Sequence, residues 1–369
     1  MSALRIVISC CLLALLFACA AAAQTYTVTD LGTLPGFSSS LAYDISPSGL
    51  VVGCSDNSTP PNTPCSTAIP ADAYFRTKTG KMQDLGHLSS YDVSVAYVVN
   101  DSGTVVGYAG NSQTGNAHGF VWTQKGGIMV DLGTLTGSTG WSEAAAITSK
   151  GVIVGSSYIS KGGNNQDDAV LWTMSDGGNY QIQDEDVLPG FPHVYPYDIN
   201  DKQLVTGIAC QDTNCNNPYH AFLWSSAKGW KDLGTLPGGK FSYGSWVNTS
   251  GVIAGASTSA KYPNGVSVYW DTKRKIHSIG TLPGGTSSFP GFITDSGEIL
   301  GESTVSGGDN HAYIWTKKLK KMQDLNNMIP KNSGWDLHHA AAIDSHGHIV
   351  GYGTINGVDH GFLLTPKAN

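Results

Sequence analysis

The sequence predicts an all-β protein, a seven-bladed β-propeller of four-stranded blades whose N-terminal strand completes the last blade. Three observations carry that prediction. The phrase Asp30-Leu31-Gly32-Thr33-Leu34-Pro35-Gly36 recurs, whole or in part, from Asp84, Asp131, Asp186, Asp232, Ile279 and Asp324. Starts lie roughly 45 to 55 residues apart, the period of an array of one supersecondary unit. Each interval holds short alternating apolar runs bounded by Gly, Asn, Asp and Ser, which reads as strands and tight turns. Finally, the chain after residue 23 opens with the last strand of a unit and closes before one, so the counts balance only if the two ends share a blade.

Taken in chain order, residues 1–23 carry Arg5, an apolar run from Ile6 to Phe17 and the small-residue stretch Ala20–Ala23. This is the pattern of a secretory signal peptide, so the mature domain is expected over 24–369. Leu16-Phe17-Ala18-Cys19 also has the outline of a lipobox, and the alternative is a lipid anchor on Cys19. No later stretch reaches the ~20 apolar residues of a membrane helix, which predicts a secreted or periplasmic protein without an integral span.

Within a unit, Val98-Val99-Asn100-Asp101-Ser102-Gly103-Thr104-Val105-Val106-Gly107 reads as two strands, A and B, joined by a tight turn. Strand C is His118-Gly119-Phe120-Val121-Trp122-Thr123 and its counterparts, rich in β-branched and aromatic residues. Strand D leads into the Asp-Leu-Gly phrase, at about 26–34, 81–88, 128–135, 180–188, 230–236, 276–282 and 321–327. Four strands of ~5–6 residues with connections of ~4–6 account for the period. A three-stranded unit leaves too much loop.

Charged residues make up 13% and the formal net charge is −7, which argues against a nucleic-acid binder. The 46 glycines follow from many tight turns. Beyond the leader stand Cys54, Cys65, Cys210 and Cys215; each near pair lies in the same part of its own repeat, which favours Cys54–Cys65 and Cys210–Cys215 disulfides in an oxidising compartment over a zinc site, whose C-x2-C spacing is lacking.

The paired phrases at His220–Ser225 and Asp232–Gly238 resemble the HAF-type extracellular repeat family of bacterial secreted proteins, over essentially all of Tyr26 to Pro366. The resemblance implies export and a repeat fold and brings no catalytic residues. Asp72, Asp168 and Val266 stand where the motif has His, so no universal role of that His follows.

In a propeller the D–A and B–C connections share one face. The B–C loops vary most in length here, and loops on a rigid scaffold carry function, so the binding surface is expected there. Alignment of the A strands places the small residues Ala42, Ala96, Ala144, Pro196, Gly244, Pro290 and Ala340 at the crowded centre. Toward the proposed mouth come Tyr91, Trp141, Glu143, His193, Tyr195, Phe241, Tyr243, Phe289, Trp335, His338 and His339, suited to stack on sugars or clasp a peptide, or else to fill gaps between blades.

No metal site is read: His118, His220, His311 and His360 sit on diverging strands and fit hydrogen bonds within their own blades. No cofactor is expected either. Asn164–Asp168 and Asp212–Asn214 offer oxygens for Ca2+ but lack EF-hand spacing. Lys317, Lys318, Lys320 and Lys321 read as a charged turn. With no recognisable catalytic motif, the leading expectation is a non-enzymatic, monomeric extracellular scaffold that binds a glycan or protein. The alternative is a carbohydrate-active enzyme, hydrolase or lyase, at the central mouth, with Glu143 and Asp336 as candidate acids.

Overall fold

The computed structural model describes residues 24–58, 65, 69–137 and 140–368. The expected signal peptide over 1–23 and the alternative lipid anchor at Cys19 lie outside the described residues. Among the described residues the chain forms 28 β-strands and a 3-10 turn at Leu325–Asn327. No helix there is long and apolar enough to cross a membrane, which says nothing about strands.

Units are numbered by their A strands. In the second, the strands are Val93–Val99, Thr104–Gly110, Ala117–Thr123 and Met129–Asp131, each antiparallel to the last. The A–B turn forms because Asn100 Oδ1 accepts from the amides of Ser102 and Thr104, both at 3.1 Å, while Gly103 takes φ +73°. The Asp of the recurring phrase fixes the next turn in the same way. Asp131 Oδ1 accepts from Gly133 N at 2.7 Å, and Asp30, Asp84 and Asp232 repeat the bond.

One register differs from the sequence reading. In the third unit the phrase starts at Asp184, which pairs with Val170 as Asp131 pairs with Phe120. Asp186 therefore stands in the place of the phrase's Gly, and it takes that glycine's left-handed conformation, φ +65°.

Hydrogen bonding divides the strands into three four-stranded and two eight-stranded sheets, none closed on itself. Sheets thus number five rather than the seven expected. The cause is local: single parallel pairs, Ala71 with Val93 and Asp167 with His193, join units one to two and three to four. Tyr26–Asp30 pairs antiparallel with the C-terminal strand Val358–Pro366, from Tyr26 opposite Pro366 to Asp30 opposite Phe362.

Every A strand carries a β-bulge against its B strand. The residue left unpaired is Tyr43, Tyr97, Ala145, Tyr197, Ser245, Gly291 or Ala341. The recurring B-strand glycine explains how the bulge fits. At Gly53, Gly107, Gly155, Gly207, Gly255, Gly301 and Gly351 an added Cβ would stand closer than 3.0 Å to an A-strand carbonyl oxygen. Only a residue without a side chain accepts that carbonyl.

The bulge also moves the centre by one residue. Ala42, Ala96 and Ala144 are fully buried and pair with the B strand; Ala42 and Ala144 face strand C of the neighbouring unit, beside Gly361 and Gly119. Packing between units is apolar, and Trp172 and Trp270 are fully buried with Nε1 donating to Leu132 O (2.8 Å) and Leu233 O (3.0 Å) of the preceding unit.

A serine clasp repeats beside these rings. Ser142 Oγ donates to Gly133 O at 2.8 Å and accepts from Gly119 N at 3.0 Å. Ser94, Ser242 and Ser288 do the same, and Ser40 clasps Gly32 O and Gly361 N, so the first unit holds the last one as the others hold their neighbours. Both expected disulfides, Cys54–Cys65 and Cys210–Cys215, are formed, in keeping with an oxidising extracellular or periplasmic setting.

Candidate functional site

All seven unpaired bulge residues line one cavity of about 370 Å³. Because a bulge re-aims a side chain out of the ladder, the seven A strands deliver one residue each to a common space. Tyr43, Tyr97 and Tyr197 supply aromatic wall, whereas Ala145, Ser245, Gly291 and Ala341 leave room. Two residues upstream on their strands, Glu143, Tyr243 and His339 add a carboxyl, a phenol and an imidazole to the same lining. Tyr43 meets Tyr97 edge to face at 5.8 Å, and Tyr197 meets Tyr243 at 6.3 Å, so the rings brace one another.

Burial raises Glu143 above the usual carboxylate range, and hydrogen bonding from Tyr97 only partly offsets it. The same burial holds the phenols of Tyr97 and Tyr243 well above their ordinary value, so they remain donors at any working pH. His339 lies flat on Tyr352, ring centroids 5.2 Å apart. Its Nδ1 is buried 3.4 Å from Glu302 Oε2 without hydrogen-bond geometry. Its Nε2 faces Gly291, where any Cβ would stand 2.9 Å away.

Chemically, the cavity offers a carboxyl whose pKa burial raises, an imidazole with a carboxylate behind it, and phenolic donors on a stacking wall.

Of the residues expected at the mouth, Glu143, Tyr243 and His339 meet in this cavity. The others pack between units or along the rim. Tyr91 abuts His118 at 5.7 Å, Trp141 abuts Tyr195 at 6.4 Å, and Trp335 abuts Phe362 at 6.0 Å. Phe241 lies against Tyr219 at 4.8 Å, and with Phe289 closes a crevice of about 40 Å³. Buried His193 donates from Nδ1 to Asp167 Oδ2 at 2.8 Å, and the Tyr195 hydroxyl donates to the same oxygen at 2.8 Å.

Asp336 is on the exposed rim, 3.8 Å from His311 and 3.6 Å from His338, and does not line the cavity. Sequence reasoning missed Tyr43, Tyr97 and Tyr197. Their signal was the A-strand residue one step past each aligned small residue, a position visible only once the bulge is allowed for.

The A–B turns of all seven units line a second, larger cavity of about 680 Å³, which shares Val98 and Trp246 with the first. Buried Asp44, Asp198 and Asp344 border it. Asp44 accepts from Val99 N at 2.9 Å and Asp198 from Val247 N at 2.7 Å, yet burial outweighs these bonds and pushes both pKa values up to about 7.

No protein-family model matches the chain, and no curated protein matches it. Solved structures do. An oligogalacturonate lyase from Vibrio parahaemolyticus is 10% identical with TM-score 0.59, over 92% of this chain and 93% of that one. A puromycin-hydrolyzing peptidase of Mycobacterium tuberculosis is 10% identical with TM-score 0.55, over 89% of this chain and 56% of its own. The β-propeller domain of the Trilobed protease from Pyrococcus furiosus is 10% identical with TM-score 0.52, over 90% and 99%.

At such identity the likeness establishes the fold alone: the chain is an all-β relative in shape of β-propellers. The expectation of a non-enzymatic scaffold is corrected by these matches, because the similar chains include a lyase and a peptidase.

Proposed function

We propose that the protein is a carbohydrate-active enzyme that cleaves a glycosidic bond in the cavity at the centre of seven four-stranded blades arranged as a closed ring. The observation that carries this reading is the convergence of seven bulge residues on a space that also holds Glu143 and His339. Ring closure is supported by the pairing of Tyr26–Asp30 with the C-terminal strand and by the Ser40 clasp. Tyr43, Tyr97, Tyr197 and Tyr243 provide faces on which pyranose rings stack.

Glu143, whose pKa burial raises, acts as the general acid that gives its proton to the leaving oxygen. Hydrolysis ordinarily uses two carboxyls flanking the bond, and among the described residues Glu143 is the one carboxyl in this lining. An imidazole is the other proton-transfer group. This pairing favours elimination: His339 Nε2 takes the proton next to a uronate carboxylate, the leaving sugar departs from the neighbouring carbon, and a double bond remains. The likeness to an oligogalacturonate lyase supports the same choice.

Incubation with pectic, other uronate-containing and neutral polysaccharides tests the proposal. Expected are new reducing ends together with the ultraviolet absorbance of an unsaturated uronide, from uronate substrates only. Glu143→Gln is expected to lose about 10²-fold or more in rate. Since Glu143 must carry its proton, activity falls on the alkaline side. Reducing ends without unsaturation would replace elimination by hydrolysis. Cleavage of none of these glycans, or full activity in the Gln variant, would sink the assignment.

A further inference from the structure

The A–B turn of the last unit differs chemically from the other six. Its counterparts begin with Ser46, Asn100, Thr148, Asn200, Asn248 or Thr294, and in the three Asn turns Oδ1 caps the turn while Nδ2 reaches the next unit: Asn100 to Thr148 O at 3.2 Å, Asn200 to Asn248 O at 2.8 Å and Asn248 to Thr294 O at 3.1 Å. The last turn reads Asp344-Ser345-His346-Gly347-His348. Asp344 Oδ1 keeps the cap, accepting from the amides of His346 (2.8 Å) and His348 (2.9 Å). Oδ2, in place of the bridging amide nitrogen, is directed at imidazoles instead. It lies 2.7 Å from His348 Nδ1 and 3.8 Å from His346 Nδ1.

One ligand atom from each of the three side chains falls within 4.8 Å of the other two. Metal–nitrogen and metal–oxygen bonds of ~2.0–2.2 Å set tetrahedral ligand separations near 3.3 Å, and the two separations from Oδ2 straddle that value. The Asp344 side chain is 1% exposed, which fixes one ligand, while those of His348 and His346 are 33% and 66% exposed, which leaves an approach from solvent. Among the described residues no Lys or Arg pairs with Asp344. Lys78 and Arg76 line the adjoining pocket, and Lys78 Cε and Asp344 Oδ2 both lie within 4 Å of where a Cβ on Gly49 would stand.

We propose that Asp344, His346 and His348 bind one divalent transition-metal ion, zinc by the chemistry of the donors, with a fourth position open to water. Two imidazoles and one carboxylate suit zinc and disfavour calcium and magnesium, which take oxygen ligands. The site also has a structural consequence. Ser345 Oγ donates to Pro47 O of the first unit at 3.1 Å, so an ion that rigidifies this turn also steadies the contact between the last unit and the first.

Calorimetric titration of the metal-free protein with Zn2+ alone, beside Ca2+ as control, tests the site. One tightly bound zinc per chain and a rise of several degrees in the unfolding midpoint are expected, with no response to calcium. The double variant His346→Ser, His348→Val carries the residues that stand at these places in the fifth unit, Ser250 and Val252. It should lose the tight equivalent, and its metal-free midpoint should fall, because Asp344 Oδ2 no longer has the His348 hydrogen bond. The single variant His346→Ser, at the most exposed ligand, should fold in any case and bind zinc at least tenfold more weakly. A wild-type protein that binds no zinc, or a His346→Ser variant that binds it unchanged, would overturn the proposal.

Discussion

A single atom decides how the A strands meet the B strands. An added Cβ at Gly155 would collide with the carbonyl of Glu143, so Gly155→Ala is expected to cost about 2–3 kcal/mol, as overpacking of a fixed backbone does. At Gly177 the nearest atom is Ser175 Oγ at 3.8 Å, and Gly177→Ala should be neutral or stabilising by about 0.5 kcal/mol. Urea denaturation of the two variants reads the contrast directly. The recurring glycine was plain in the sequence. Its reason was not, because period-2 alternation assigns every strand residue to a face and has no place for a residue that is skipped. For the same cause the sequence placed alanines at the centre and overlooked the tyrosines beside them. Proton linkage gives another residue-scale test. Asp44 and Asp198 have folded pKa values near 7 against an ordinary 3.8, so the folded chain holds protons that the unfolded one releases. Their contribution is fully present below about pH 4 and is lost as pH rises through about 7. In the double Asn variant, which keeps an acceptor for Val99 N and Val247 N, the midpoint should change less between pH 4 and pH 8 than in wild type. Equal slopes would show that these carboxyls do not titrate as described.

At the scale of strands, the His of strand C and the Asp of strand D form a rung that was legible as a hydrogen bond within a unit. His118 Nδ1 donates to Asp131 Oδ2 at 2.8 Å, and His220, His311 and His360 repeat the rung to Asp232, Asp324 and Asp30. The departures obey the same electrostatics. Where Val266 replaces His, Ser278 replaces Asp, and no charge is left alone. Where Asp72 replaces His, His87 comes over from the following loop to pair with it. Where Asp168 replaces His, Lys161 reaches Asp168 at 2.5 Å, Asp184 at 2.9 Å and Asp186 at 3.1 Å. That replacement was beyond pattern reading, because Lys161 belongs to an extension of strand B that no other unit has. Asp168 has a fully buried side chain and a pKa raised by burial to about 6, even with its cation present. Lys161→Met strands that carboxylate. At pH 8 it should cost about 3 kcal/mol, the low end for breaking a buried pair since the ammonium is 38% exposed. At pH 5, where the carboxyl takes up a proton, the cost should shrink. A deficit independent of pH would assign the loss to the lysine's packing instead.

For the whole molecule, the all-β class and the pairing of the two chain ends were readable because each is a matter of counting strands against turns. The identity of the central wall was not, since it depends on seven bulges acting together. The ring proposed above makes one more demand, which separates it from an array whose end units merely touch. In a closed ring the contact between the last unit and the first is as strong as any other, because the same atoms make it. Ser40 Oγ donates to Gly32 O at 2.7 Å and accepts from Gly361 N at 3.0 Å; Ser142 Oγ makes the corresponding bonds at 2.8 and 3.0 Å, and both serines are fully buried. Each substitution to Ala leaves a buried N–H unpaired, at about 1–3 kcal/mol. Ser40→Ala and Ser142→Ala should therefore lose the same stability within about 0.5 kcal/mol, the scatter of independent sites. If the seam between units seven and one opened ahead of the rest, Gly361 N would already be hydrated in the state that precedes unfolding, and Ser40→Ala would cost next to nothing while Ser142→Ala kept its full effect. Removal of 24–31 sharpens the contrast, for it takes away the strand that pairs with Val358–Pro366 and bares a hydrogen-bonding edge. With that strand gone, amide exchange should accelerate first in the C-terminal strand, and the Ser40 clasp, cut off from Gly361, should cease to matter.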